Sequence, residues 1–226
     1  MSKPKSDNQE REQRILDAAS DLIVHYGFDK TTVSDIANEA GISKGAIYLH
    51  FKSKDELFEA LLIREMQVYS SVWFDKLEAD PKGGTIGSMY KTTLYALNSN
   101  PFMTALFKRD SRVLGSYLHK PDNFFRKQQE YNTRFIFVKM MQDAGAMRKN
   151  IDANVVAHIM DMLAYGLVSM GDIKNEKFIP STNKTIEAIA DIMDKALTPE
   201  NVNPDAGKEI LRQIMDTAKK QLNGEE

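Results

Sequence analysis

TTVSDIANEAGISKGAIYLHFKSK, residues 31–54, is the stretch of this 226-residue chain that decides its fold. Two short helical segments flank Gly41, with Ala37 four residues before that glycine and Ile47 six residues after it. A helix-turn-helix needs a small residue where its helices touch, a turn residue that tolerates left-handed dihedrals, and an apolar residue on the inner face of its second helix. The spacing supplies all three and predicts a helix-turn-helix, whose second helix can enter the major groove of DNA.

Positive charge is concentrated in this stretch, because the chain as a whole carries a formal net charge of −2 and has a pI near 6.1. Residues 43–54 contain Lys44, Lys52 and Lys54 and no acidic residue. Any contact with DNA must therefore use a local basic patch and not a global field.

The composition indicates a globular protein of a reducing compartment. Hydrophobic residues make up 42% and charged residues 27% of the chain, which is ordinary for a chain that buries a sizeable core. The chain has no cysteine, which excludes disulfides, thiolate zinc sites and cysteine nucleophiles. The polar N-terminus lacks a signal peptide, and no stretch approaches the ~20 apolar residues of a membrane span. We therefore expect a cytoplasmic protein without a membrane partner.

Helical periodicity throughout the chain predicts an all-α fold. Thr32 with Asp35 is close to a capping box, Ser43 suits the N-cap of the next helix, and Ser53 with Glu56 opens a long helix to about residue 78. Beyond the loop at 80–84, we predict helices near 86–98, 101–119 (broken around 108–111), 122–144, 152–171, 182–197 and 205–222. The last helix can extend an interface or cover the C-terminal domain.

The region from about Arg14 to Leu62 resembles the tetracycline-repressor (TetR) family of transcriptional regulators. The matching residues are Ile15–Ala19, Gly27–Phe28, Thr31–Val33, Asp35–Ala37, Ala40–Gly45, Ile47–Tyr48, His50–Lys54 and Leu57. The resemblance implies an N-terminal three-helix DNA-binding domain joined by a long helix to a C-terminal helical bundle for ligand binding and dimerisation. The corresponding division is a disordered arm over 1–9, the DNA-binding domain over 10–54 and the regulatory domain over 55–226.

The DNA surface is expected to centre on Lys44, which lies in the first turn of the second helix and can reach a guanine edge or a phosphate. Gly45 and Ala46 are small enough to bring backbone close to the groove, and the resemblance implies phosphate contacts by Tyr48 and Lys54. The full set of expected contacts is Thr32, Val33, Ser34, Ser43, Lys44, Gly45, Ala46, Tyr48, Leu49, His50 and Lys54. Family members with arginine at the position of Ser34 gain a long base-reading side chain, so readout here rests on few side chains and on DNA shape.

The resemblance also implies an effector pocket in the C-terminal domain, but the sequence does not locate it. Methionine and aromatic residues there suit an apolar or aromatic effector, although plain core packing explains the same residues. The candidates for the pocket are Trp73, Tyr90, Phe107, Tyr131, Phe135, Met162 and Tyr165.

Two apolar rows near the C-terminus predict a homodimer interface. The rows consist of Val156, Ile159, Leu163 and Leu167 on one helix and Ile186, Ile189, Met193 and Leu197 on the next. An intramolecular core would give the same rows. A dimer is favoured because one helix-turn-helix alone makes too few base contacts for useful specificity.

No catalytic or metal-binding constellation is recognisable, and the four histidines show no ligand spacing. We therefore expect no enzyme activity, metal or cofactor. The predicted function is that of a homodimeric repressor, bound to a near-palindromic double-stranded operator and released by a small apolar or aromatic effector. The alternatives are a DNA-binding dimer without an effector, acting as an architectural or division-linked factor, and an all-α enzyme or carrier with a vestigial motif.

Overall fold

The structure is a computed structural model that describes residues 4–129 and 132–223. The described residues form helices and connecting turns, which confirms the predicted all-α class. The α-helices are α1 (Pro4–Tyr26), α2 (Val33–Glu39), α3 (Lys44–Tyr48), α4 (Lys54–Ala79), α5 (Ile86–Ser99), α6 (Pro101–Lys108), α7 (Ser111–Leu114), α8 (Phe124–Gln129), α9 (Thr133–Asp143), α10 (Ala153–Ser169), α11 (Thr182–Leu197) and α12 (Pro204–Asn223). Short 3-10 turns cover Gly115–His119, Met170–Asp172 and Glu176–Phe178.

The predicted caps of the helix-turn-helix are present. The Thr32 hydroxyl oxygen accepts a hydrogen bond from the Asp35 amide at 3.2 Å, and the Asp35 carboxylate accepts one from the Thr32 amide at 2.9 Å. Gly41 has φ +66°, a conformation that costs glycine no steric penalty. The Ser43 hydroxyl then accepts from the Ala46 amide at 3.1 Å and begins α3.

The long helix α4 begins at the predicted position, because the Ser53 hydroxyl accepts a hydrogen bond from the Glu56 amide at 3.1 Å. The Glu56 carboxylate returns its bond one residue earlier than expected, accepting from the Lys52 amide at 2.7 Å. With 26 residues, α4 is about 39 Å long.

Two sequence-based boundaries need correction. Helix α1 begins at Pro4, so it covers residues 4–9 of the arm expected to be disordered, and residues 1–3 lie outside the described part of the chain. The Glu, Arg and Gln residues at positions 10–14 favour helix, and α1 continues outward from them through this segment. The helix predicted over 122–144 is divided, because the Asn132 side chain accepts from the Phe135 amide at 3.2 Å and begins α9 there.

Described residues within Met1–Tyr69 and Asn100–Glu130 form one compact unit. Its core contains the inner faces of α1, the helix-turn-helix and the first half of α4, where Phe58 packs its ring 4.8 Å from Phe28, 4.6 Å from Tyr117 and 6.0 Å from Phe102. The sequence did not predict this grouping, since the segment after residue 100 was assigned to the C-terminal domain.

Described residues within Ser70–Ser99 and Tyr131–Glu226 form the second compact unit, in which α11 packs along α5. The Asp194 carboxylate accepts from the Gly87 amide at 2.7 Å and from the Thr85 hydroxyl at 3.1 Å, so an acidic side chain of α11 caps the positive end of α5. In the same unit the buried Tyr90 hydroxyl donates to the Met160 carbonyl oxygen.

One stretch of the second unit corrects the expectation that no segment reaches the size of a membrane span. The segment Ala153–Asp172 has a mean hydropathy of 1.3 and is long and apolar enough by length and composition alone. A core helix of a globular protein meets the same criterion, and Val156, Met160 and Ala164 of this helix are buried inside the unit.

Candidate nucleic-acid interface

Helix α3 presents one face to its own core and the opposite face to solvent. Ile47 is buried, which fixes the inner face. Lys44, Gly45 and Tyr48 are exposed, and Leu49, at the C-cap, is 83% exposed. The outward surface therefore combines one cation with small, apolar and phenolic groups, the set that can contact phosphates, guanine edges and thymine methyls.

The pose of α3 depends on the turn that precedes it. Ala37 is buried, and its carbonyl oxygen accepts a hydrogen bond from the Ile42 amide at 3.0 Å. Together with the positive φ of Gly41, this bond fixes the path from α2 to α3. The small residue, the glycine and the apolar residue thus have the positions that the sequence spacing predicted.

Lys54 does not have the position expected of a phosphate contact. Its ammonium donates to the Phe28 carbonyl oxygen and lies 4.1 Å from the centroid of the Phe28 ring. Burial lowers the pKa of Lys54, against the opposing effect of the Asp29 and Asp55 carboxylates. The side chain is half-buried and contacts Phe28 in the free chain, so the phosphate contact implied by the family resemblance stays a prediction.

His50 and Val33 also differ from the expected DNA surface. The His50 side chain is only 5% exposed, and its Nδ1 lies 3.9 Å from a carboxylate oxygen of Glu12 on α1. Val33 is buried in the core of the first unit. Val33 points inward because it packs against other apolar side chains. His50 points inward because it lies close to α1.

At the start of α2, Thr32 is exposed but its hydroxyl already donates to the Asp35 carboxylate at 2.7 Å. Hydrogen bonds from the Thr32 hydroxyl and amide lower the pKa of Asp35, which keeps a negative charge beside this position. Ser34 and Ala46 are half-buried and Ser43 is exposed. The basic and accessible part of the surface is therefore Lys44 together with Lys52, which is also exposed.

The predicted pocket residues belong to both units and differ in exposure. Trp73, which donates to the Thr93 hydroxyl at 2.9 Å, and Phe135 are half-buried in the second unit, whereas Phe107 belongs to the first unit. Met162 and Tyr165 are exposed on the outer side of α10. Tyr131 lies outside the described residues.

The predicted interface residues divide by burial. Four are buried within the chain: Val156, Ile186, Met193 and Leu197. Three are half-buried and one is exposed: Leu163, Leu167 and Ile189, with Ile159 at 41% exposure. The apolar row of α11 therefore packs mainly in the core of the second unit, and the intramolecular explanation holds for the buried residues.

Other apolar side chains of these two helices face outward. Val155, Met162 and Tyr165 of α10 are exposed, as is Ile192 of α11. The predicted interface rows did not include them, because a helix with apolar residues on two faces gives no single stripe.

An outward-facing α3, fixed by a capped turn on an all-helical chain, defines a helix-turn-helix DNA-binding protein. Residues 15–61 match the family model of bacterial regulatory proteins of the tetR family. This match confirms the resemblance seen in the sequence, and together with the relatives described next it points to a transcriptional regulator of the TetR family.

The relatives of this chain match it over different lengths. The chain is 44% identical over 69 residues to the HTH-type transcriptional regulator YerO of Bacillus subtilis, a match that spans 30% of this chain and only 22% of YerO. It is 24% identical over 166 residues to the probable acrEF/envCD operon repressor of Escherichia coli, covering 69% of this chain and 73% of that protein.

Over most of the chain, the fold is similar to that of solved structures. FadR from Bacillus subtilis in complex with stearoyl-CoA aligns with a TM-score of 0.58 at 16% identity, covering 80% of this chain and 96% of that one. The SmeT–triclosan complex aligns with a TM-score of 0.57 at 17% identity, covering 86% and 94%.

Proposed function

We propose that this chain is a cytoplasmic homodimeric repressor that binds a near-palindromic operator and releases it when a small apolar or aromatic effector binds. The observation that carries the proposal is the outward face of α3, where Lys44, Gly45, Tyr48 and the highly exposed Leu49 are all accessible. Such a surface suits the major groove, because the backbone at Gly45 can approach the base edges while Lys44 reaches a guanine or a phosphate.

The exposed apolar face of α10 supports the homodimer. Val155, Ile159, Met162 and Tyr165 recur along this helix at intervals of three or four residues, and all four are exposed in the single chain. A second copy would bury this face and would bring a second α3 to a second half-site. Half-sites should then repeat at about one helical turn or a multiple of it.

The effector is supported by the chemistry of the second unit and by the ligands of similar folds. Trp73 and Phe135 offer aromatic surface in that unit, and the neighbours described above were solved with stearoyl-CoA and with triclosan. Release of DNA by about a hundredfold requires about 2.7 kcal/mol of difference in effector affinity between the two conformers.

The alternative is a DNA-binding dimer that needs no effector and acts as an architectural or division-linked factor. The two DNA-binding hypotheses share the interface of α3 and differ only in whether a ligand changes operator affinity.

The proposal is tested by selecting duplexes from a random pool with the purified chain and repeating the selection with candidate apolar ligands. We expect recovery of near-palindromic sites and loss of binding with at least one ligand. Operator affinity should fall steeply between about 50 and 200 mM salt, since phosphate contacts release counterions. Recovery of no preferred sequence, or a flat salt response, would contradict an operator-binding function.

A further inference from the structure

Helix α12 packs against the rest of the second unit beside the C-terminal end of α4. Leu211 is 1% exposed and Gly207 is buried, so one face of α12 is covered by the same chain. The sequence left open whether this last helix extends an interface or covers the C-terminal domain. The contacts of α12 with α9 and with the loop at 80–84 favour the second role.

The backbones of α12 and of the loop at 80–84 approach each other closely. A Cβ on Gly207 would lie 2.0 Å from the carbonyl oxygen of Gly84 and 2.9 Å from the methyl carbon of Met89. Even the smallest side chain at Gly207 would therefore push α12 away from this loop. The close approach holds the beginning of α12 against the segment that follows α4.

Two basic side chains of α12 bind the last turn of α4. Arg212 donates to both carboxylate oxygens of Glu78, from Nε at 3.2 Å and from Nη2 at 3.1 Å. The Lys208 ammonium donates to the Glu78 carbonyl oxygen at 3.4 Å. A cation at this position also interacts favourably with the negative end of the helix dipole of α4. The end of α4 is thus attached to α12 by side-chain and main-chain contacts.

The docked position of α12 depends on contacts that can be broken. The side chains of Arg212 and Glu78 are 47% and 33% exposed, and exposed ion pairs contribute little to stability. Among the described side chains of α12, Leu211 is the apolar one that is fully buried. Residues 198–203 connect α11 to α12 outside either helix, so α12 can leave its site without unfolding α11. We therefore expect the docked state to be in equilibrium with a released one.

Helix α4 relates the contact with α12 to the DNA-binding motif. It begins at Lys54, directly after its N-cap Ser53 and six residues beyond the end of α3, and it continues for 26 residues to Ala79. Its first turn therefore follows the motif in the chain, and its last turn contacts α12. A rigid secondary-structure element of this kind can carry a change at one end to the other.

We propose that α12 is a clamp on the end of α4, formed by Gly207, Lys208, Leu211 and Arg212, and that its release lowers affinity for operator DNA. The inference rests on the proposed function, because a clamp on α4 affects binding only if α3 reads an operator. Fixing the end of α4 limits the poses available to α3, and a protein that already has its binding pose binds more tightly. Operator DNA should in turn favour the clamped state, because such coupling is reciprocal.

The first test reverses the charge of Arg212 in the full-length chain. The affinity of Arg212→Glu for a duplex selected by the wild-type chain is measured at fixed salt. We expect about a ninefold loss if the clamped population falls from about 90% to about 10%. Adding Glu78→Arg to this variant restores an ion pair of opposite polarity and should recover most of the lost affinity.

Lys195→Glu is the matched control for Arg212→Glu. It changes the net charge by the same amount and breaks the exposed ion pair of Lys195 with Asp191 on α11. We expect its operator affinity to stay close to that of the wild type. An equal loss in both variants would show that the effect is one of net charge, and it would overturn the clamp.

Gly207→Ala releases α12 without any change of charge, because the added methyl group would meet the Gly84 carbonyl oxygen. We expect a loss of operator affinity similar to that of Arg212→Glu. Gly171→Ala is its control, since a Cβ at Gly171 would have no neighbouring heavy atom within 4 Å outside the adjoining chain. Thermal unfolding of each variant checks that the protein is folded at the assay temperature.

The accessibility of a single thiol measures the release of α12 directly, since the chain has no cysteine. Leu211→Cys places a thiol on the buried face of α12, and Leu197→Cys places one on α11, where the leucine is 4% exposed. We expect a soluble maleimide to react faster with Leu211→Cys, because α12 opens locally. Arg212→Glu should speed this reaction further.

Addition of the selected duplex to Leu211→Cys tests the coupling itself. If DNA favours the clamped state, the duplex should slow the reaction of this thiol more than that of Leu197→Cys. A purely structural role for α12 predicts no such protection by DNA. Equal reaction rates for the two thiols, or a rate in Leu211→Cys that the duplex does not change, would overturn the inference.

The proposed function and the clamp fail in different ways. If the wild-type chain binds no duplex, the proposed function fails, while the two thiol reaction rates still show whether α12 opens locally. If the wild-type chain binds a selected duplex and both Arg212→Glu and Gly207→Ala bind it equally well, only the clamp is overturned.

Discussion

At the scale of single residues, the outward face of α3 has one cation and little side-chain bulk. Lys44 is followed by Gly45 and the half-buried Ala46, and the next exposed groups are Tyr48 and Leu49. Base discrimination by such a surface depends on few groups, so each of them should have a separable effect.

Replacing Lys44 with alanine should weaken binding to the selected operator and relax sequence preference. Loss of one base contact costs about 1–3 kcal/mol of discrimination, which corresponds to roughly a tenfold to hundredfold change in the preference for the affected base pair. Titration of the operator and of single-base variants of it measures this effect. Unchanged affinity and selectivity would remove Lys44 from the set of reading residues.

Gly45→Ala should have opposite effects on the stability of the protein and on its affinity for the operator. Beyond the adjoining residues and the backbone of α3, an added Cβ would meet the Ser43 hydroxyl oxygen at 3.9 Å. Alanine therefore fits, and it raises helix propensity by up to about 1 kcal/mol. The same methyl group would hold the backbone of α3 away from the bases. We expect an equal or higher melting temperature together with weaker operator binding, and a variant that melts lower would contradict the open space at this position.

Residue types and spacing predicted which side chains belong to the motif but not the direction in which each one points. Lys44, Lys52 and Lys54 look alike in the sequence, yet the first two are exposed and the third is hydrogen-bonded to Phe28. The carbonyl oxygen that attracts Lys54 lies 26 residues away. His50 is similar, because its neighbour Glu12 is on another helix. Long-range partners of this kind leave no periodic pattern.

At the scale of elements, the corner that follows α1 is packed against the short helix α7 and the turn after it. The Asp29 carboxylate accepts from the Ser116 amide at 3.0 Å and also from its hydroxyl. A Cβ on Gly115 would lie 2.4 Å from a carboxylate oxygen of Asp29. This contact therefore tolerates little change in either segment.

The Asp29 contact gives the stability of the first unit a dependence on pH. Because hydrogen bonds from Ser116 lower the pKa of Asp29 below its ordinary value of 3.8, the contribution is fully present above that value and is lost as pH falls through the folded-state pKa. Ser116→Ala should therefore destabilise the protein near neutral pH, and the difference from wild type should shrink in acid.

Urea unfolding at neutral and at acidic pH measures the effect. Ser181→Ala is a suitable control, since Ser181 is an N-cap residue whose side chain makes no capping hydrogen bond. A Ser116→Ala difference that is independent of pH would show that the carboxylate does not carry the contact.

Helix ends were predictable where the cap is local and not where it is distant. The capping box of Thr32 with Asp35 and the N-cap at Ser43 are formed by residues within three positions of each other. By contrast, the positive end of α5 is capped by Asp194 from a helix far along the chain. The sequence left two explanations open for the row of α11 for a related reason, because burial against α5 and burial against a second copy require the same apolar spacing.

At the scale of the whole molecule, the apolar surface of α10 predicts assembly. Ile159→Glu should place a charge in the proposed interface and produce monomers, because a buried unpaired charge is strongly unfavourable. Ile136→Glu on α9 is the matched control, since Ile136 is 48% and Ile159 is 41% exposed.

Light scattering after size exclusion measures the mass of each variant. We expect a dimer for the wild type and for Ile136→Glu, and a monomer with much weaker operator binding for Ile159→Glu. A wild-type chain that is monomeric at micromolar concentration, or an Ile159→Glu protein that remains dimeric, would contradict the proposed interface.

The open space beside Gly45 affects how readily mutation can alter the operator sequence that the protein prefers. A larger side chain introduced there would project into solvent and not into the protein interior, as the surroundings of this glycine show. One substitution at this position therefore changes the outward face of α3 without a clash at the added Cβ. We expect substitutions at Gly45 to change which operator sequences the protein prefers. A small library of variants at this position would show such changes.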